Sequence, residues 1–114
     1  MSGLFYKAFS CNQPLDTWHV SQVTTMWNLL NGATSFNQSL EVSEVSDMND
    51  MFAGATSSNQ PSSTWNVRQV THMYGMFYGA VSFNQPLDTW DVINVVDMSD
   101  MFHGATSFNQ PFDT

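Results

Sequence analysis

The dipeptide Asn-Gln returns five times in this chain, at Asn12-Gln13, Asn37-Gln38, Asn59-Gln60, Asn84-Gln85 and Asn109-Gln110. That recurrence limits the possible folds more than any other feature. The intervals are 25, 22, 25 and 25 residues, and neighbouring residues repeat in phase with them. A unit this short cannot bury an apolar face alone, so successive units must cover one another. The expectation is a single solenoid over residues 1–114, with about four and a half repeats. Met1-Ser2-Gly3-Leu4-Phe5-Tyr6 is in phase with Met73-Tyr74-Gly75-Met76-Phe77-Tyr78, and Asp113-Thr114 with Asp88-Thr89 before Trp90. The solenoid therefore reads as uncapped, beginning and ending in mid-repeat. Open rungs expose unpaired backbone edges and apolar columns, which favour association.

One repeat, Asn84 to Phe108, serves as the template. Pro86 lacks an N–H and fits a turn or the first residue of a strand. Trp90 and Val92 alternate with Thr89 and Asp91, the period of a half-buried strand. Val95, Met98, Met101, Phe102 and Ala105 follow at spacings of 3, 3, 1 and 3, which predicts a tight helical segment, partly 3₁₀. Gly104 stands where a helix commonly stops. The same columns recur: Val42, Val67 and Val92; Val45, Val70 and Val95; Met26, Met48, Met73 and Met98; Leu30, Phe52, Phe77 and Phe102. These spacings read as core rather than as a methionine-lined groove.

The expected fold class is thus a repeat solenoid, each rung carrying one short strand and one helical segment. An all-β solenoid is the alternative. The 22-residue unit is irregular, because it lacks the Asp-Thr-Trp segment, and the next unit has Ser58 and Ser62 where Phe83 and Leu87 stand. Missing side chains there predict a bend, a pocket or simple drift.

The pattern Trp-Asp-Val-x-x-Val-x-x-Met-x-x-Met-Phe-x-Gly-Ala-x-Ser-Phe-Asn-Gln-Pro-Leu, nearly complete from Trp65 to Leu87 and from Trp90 to Phe112, carries a family resemblance. It resembles the roughly 25-residue repeat domain of unknown function found in mycoplasma surface lipoproteins. That repeat is in turn similar to BspA-type leucine-rich repeats. The resemblance spans the chain. It implies a right-handed, leucine-rich-repeat-like solenoid, often displayed at cell surfaces and used for adhesion or protein binding, and it carries over no catalytic residue.

Charge and composition narrow the partners. Lys7 and Arg68 stand against ten acids, for a net charge of -8. Nucleic acid and anionic membranes would be repelled. No run of 18 apolar residues occurs, so membrane insertion is not expected. Residues 1–20 show no basic start followed by an apolar run, so no signal peptide is expected. Cys11 stands alone, in a column otherwise filled by Phe36, Phe83 and Phe108, and reads as a small buried residue.

No enzyme, metal site or cofactor is expected. His19, His72 and His103 fall at three different phases of the repeat and lack ligand spacing. Asp47/Asp50 and Asp97/Asp100 lie two rungs apart, about 10 Å, too far for one calcium cage. Asp88 and Asp113 read as turn residues. Asn12, Asn37, Asn59, Asn84 and Asn109 form a column whose buried amides could bond to the backbone of their own and the next rung, a structural ladder.

What remains is surface. Thr17, Thr64 and Thr89, with His19, Glu41, Asn66 and Asp91, would line the strand face, where such folds usually bind. The expected function is a non-enzymatic protein-binding or scaffold module, acting through this face or by self-association through open ends. A repetitive surface binding glycan or ice is the alternative, with Tyr6, Tyr78 and Trp27 as glycan-facing aromatics. A passive stalk segment is a third reading.

Overall fold

The stretch from Met73 to Ala80 shows how the repeat is built in a computed structural model that describes residues 11–12 and 24–111. Alternate backbone N–H groups point outward to the next repeat. Met73, Gly75 and Phe77 donate to the carbonyls of Asp97, Ser99 and Met101 at 2.9 Å, and Gly79 donates to His103 at 2.7 Å. The N–H groups between them close three-residue turns. Met76 donates to the Met73 carbonyl, Tyr78 to Gly75 and Ala80 to Phe77, at 3.0–3.3 Å. Met26 to Ala33 and Met48 to Ala55 follow the same alternation. Half the donors of each segment thus serve a neighbouring repeat, and a continuous internal ladder cannot form.

A second device prevents a helix. Asn28, Asp50, Gly75 and Asp100 occupy one column and all take positive φ, at 59°, 55°, 58° and 56°. Asn, Asp and Gly tolerate this left-handed region better than other residues, because a short polar side chain, or none, reduces the clash with the backbone. One such residue reverses the coil within a turn.

These features correct the expected fold class. The leucine-rich-repeat-like solenoid with a strand and a helix per rung is not what the chain forms, nor is the all-β alternative. Among the described residues there is no helix, and strand-type pairing is limited to isolated parallel bridges, Thr25–Asp47, Asp47–His72 and His72–Asp97. The bridges fall inside or beside the segment expected to be helical, while Thr89 to Val92, expected as a strand, makes no ladder. The cause is a degenerate signal. Apolar residues spaced by three suit successive three-residue turns as well as a helix. The body measures 34 × 32 × 20 Å with a radius of gyration of 12.6 Å, near the roughly 13 Å of a compact globule of this length.

The core collects the repeating apolar positions. Met26, Met48 and Met73 are fully buried, as are Val45, Val70, Leu30, Phe77 and Ala80. Phe77 is the hub of the aromatic packing. Its ring lies 4.0 Å from Phe83, 5.6 Å from Phe52, 5.7 Å from Phe102 and 6.4 Å from Trp90. Such offset pairs add to the burial energy of each ring. Indole N–H groups are satisfied internally, Trp90 donating to the Ser62 carbonyl at 2.9 Å and Trp65 to the Leu40 carbonyl.

The irregular repeat leaves a small notch. Leu40, Phe52, Ser58, Ser62, Trp65 and Phe83 line it, so the side chains that depart from the pattern converge on one place. Its volume is only about 10 Å³, room for roughly one water. Ser58 donates to the Phe36 carbonyl at 2.7 Å, and its hydroxyl is thereby paired inside the core. The surroundings have largely closed over the missing side chains.

Candidate interaction surfaces

The asparagine column is built by backbone need. The N–H of Asn37 donates to Asn12 Oδ1 at 2.7 Å, and those of Asn59, Asn84 and Asn109 donate to Oδ1 of Asn37, Asn59 and Asn84 at 2.9 Å. The following glutamine joins each link, with Gln38, Gln60, Gln85 and Gln110 Nε2 at 3.0–3.2 Å from the same oxygens. Each Asn oxygen thus accepts twice, which uses both of its lone pairs. The column is half-buried to exposed rather than buried as expected, so these amides bond at the surface. Cys11, beside it, is half-buried.

Of the polar face expected to bind, Thr17 and His19 lie outside the described residues. Glu41, Thr64, Asn66, Thr89 and Asp91 are all exposed. Much of their capacity is spent within the chain. Thr64 Oγ1 donates to the Glu41 carboxylate at 3.1–3.2 Å, and Thr89 Oγ1 donates to the Ser63 carbonyl at 2.9 Å. Asn66 and Asp91 accept from the backbone N–H two residues on, at 3.2 Å, and Asp91 also faces Arg68 at 3.5 Å. An exposed pair of this kind is worth little.

The repeat from Val92 to Phe108 is different. Its core side chains Val92, Val95, Met98, Phe102 and Phe108 are only partly buried. Ile93 and Val96 are 78% and 76% exposed, at positions held by Arg68 and Thr71 one repeat earlier. Its outward N–H groups also change status. Among the described residues, those of Met98, Asp100 and Gly104 have no acceptor, although their equivalents Met73, Gly75 and Gly79 all do.

A third surface is an open trough of about 570 Å³ lined by Asn31, Asp50, Tyr74, Tyr78 and Asp100, with Ala53, Gly54 and Gly79. Tyr74 and Tyr78 are 40% and 44% exposed, and the Tyr78 ring stacks on His103 at 4.8 Å. The Asp50 carboxylate occupies the space that a Cβ on residue 75 would need, so Gly75 is what lets it lie there. Partial burial, and then the charge of Asp47, push Asp50 above its ordinary acidity range. Asp97 moves the other way, held down by hydrogen bonds from the Ser99 backbone and hydroxyl. Sequence reasoning singled out Tyr78 and Trp27 but missed Tyr74 and the trough. The available signal was Gly75, which interrupts the polar run of Asn28, Asp50 and Asp100 in its column. Tyr6 lies outside the described residues, and Trp27 is 48% exposed.

Among the described residues, no group of three His, Cys, Asp or Glu side chains is placed to hold a metal, and no helix is long and apolar enough to cross a membrane. His72 Nδ1 lies 2.9 Å from Thr71 Oγ1, and His103 lies against Tyr78. No curated protein and no solved structure matches the chain. A family model described as "Mycoplasma protein of unknown function, DUF285" matches residues 1–114.

Proposed function

With the chain a member of that family of unknown function, we propose that it is a non-enzymatic protein-binding or scaffold module whose contact surface is the repeat from Val92 to Phe108. One observation carries the reading: this repeat shares the core side chains of its buried predecessor while leaving donors and apolar groups uncovered. An edge of unpaired N–H groups beside apolar side chains is a template for an added protein segment. The segment would supply carbonyl oxygens to Met98, Asp100 and Gly104 and cover Val92, Val95 and Val96. The partner at hand is a second copy of this chain. Adhesion at a cell surface is the setting that the resemblance to mycoplasma lipoprotein repeats suggests.

The test is mass by light scattering over a hundredfold range of concentration, in salt sufficient to screen the net charge of -8. The mass should grow with concentration for the wild-type chain and stay monomeric for Val95→Glu/Val96→Glu. A wild-type monomer throughout, or equal growth in the variant, overturns the reading.

A further inference from the structure

We propose that the Tyr74/Tyr78 trough is a second binding site, one that takes a lysine or arginine side chain from a basic segment of a partner protein. It extends the protein-binding reading but uses a different surface, sharing only Asp100 with the edge described above.

The argument begins with room and shape. The trough is open to solvent and, at about 570 Å³, has room for a long side chain, whereas the notch at Ser58 holds one water. Its walls are two tyrosines, each with about two-fifths of its surface in solvent. Aromatic faces attract cations through their quadrupole, and the long methylene stem of Lys or Arg packs along them.

Charge supplies the rest. Asp50 and Asp100 stand on either side of Gly75 in one column, and neither carboxylate has a hydrogen-bond partner among the described residues. No Lys or Arg lines the trough. Residue 75 bears no side chain, and the Asp50 carboxylate lies in the space that a Cβ there would take, which brings it toward Asp100 in the repeat after Gly75. The wider chain has ten acids against two strong bases, so long-range attraction brings a basic segment in. Asp50 carries a further mark of function over stability. Its carboxylate is partly desolvated beside Asp47 without a counter-charge, an arrangement that an incoming cation relieves.

The experiment is a titration of the full chain with a tetralysine peptide and a tetraglutamate control, read by the tyrosine ring signals in NMR spectra. Saturable shifts of Tyr74 and Tyr78 with tetralysine alone are expected. Asp50→Asn/Asp100→Asn should weaken binding about tenfold or more, equivalent to two lost charge contacts. Glu41→Gln/Asp88→Asn, which removes the same charge outside the trough, should change it by less than about twofold. The Asp50→Asn/Asp100→Asn chain should melt no lower than the wild type, which separates lost binding from lost fold. Equal weakening by both double variants would mean diffuse attraction to an acidic surface, and would overturn the site. So would the absence of saturation. Neither result depends on the self-association test, because that reads mass and leaves Asp50 untouched.

Discussion

The repeat around Met73 and the repeat around Met98 place the same core side chains in different surroundings. Val67, Val70, Met73 and Phe77 are at most 1% exposed, while Val92, Val95, Met98 and Phe102 are only partly buried. The outward N–H groups of the first are paired at Met73, Gly75, Phe77 and Gly79, whereas Met98, Asp100 and Gly104 find no acceptor among the described residues. The difference teaches that a core position here is not a property of its residue. It depends on whether another segment lies across it. The interior repeat buries its apolar surface, and the repeat around Met98 keeps more of it in solvent.

The sharpest test is Phe77→Ala against Phe102→Ala. Removing Phe77 should cost about 3–5 kcal/mol, because the cavity left among Phe52, Phe83 and Trp90 cannot refill. Phe102→Ala should cost less than half of that in the monomer, as read by urea denaturation. Equal costs would break the comparison. Gly75→Ala comes next, at about 1–3 kcal/mol, since it combines a left-handed φ with displacement of the Asp50 carboxylate. At Asp100, the same column in the edge repeat, the change to Gly should be neutral or slightly stabilising.

Asn59→Ala removes an oxygen that accepts from Asn84 N–H at 2.9 Å and from Gln85 Nε2 at 3.0 Å. It should cost about 1–2 kcal/mol in a thermal or urea melt. Ser58→Phe restores the missing ring but enters a notch of about 10 Å³, so overpacking should make it destabilising. A stabilised variant would show that the notch is more open than this.

The smallest effects are electrostatic. The folded-state value of Asp50 is raised, so its charged form is disfavoured on folding, and the penalty is present at neutral pH and relieved as pH falls toward its ordinary 3.8. Asp50→Asn should therefore raise the thermal midpoint slightly at pH 7, with the gain fading in acid. The folded-state value of Asp97 is lowered, so its contribution is present above 3.8 and is lost as pH falls through the lowered value. Asp97→Asn should have the opposite sign in the same melts. A shared sign for the two variants would contradict the assignment of causes.

Part of this was legible before any coordinates. The columns of Val, Met, Phe and Ala mark buried positions, because five in-phase copies of a short unit must share one apolar interior. The asparagine oxygens meet the backbone of the next repeat, as amides in such a column can. The helix was misread because a spacing of three also suits consecutive turns. What distinguishes the two is the φ of Asn28, Asp50 and Asp100, and both residue types also occur within helices. The trough was invisible because Tyr74, Tyr78, Asp50 and Asp100 come from three different repeats.

The sequence by itself therefore determined the period, the identity of the buried columns, the acidic charge and the family, all of which follow from counting and from which side chains avoid water. Only the tertiary structure decided which way each N–H points, that alternate donors serve the neighbour, and that the repeat around Met98 stays half-open. The physical reason is that burial and hydrogen bonding are relations between segments. The core side chains that two repeats share cannot encode, by themselves, which of the two will be covered.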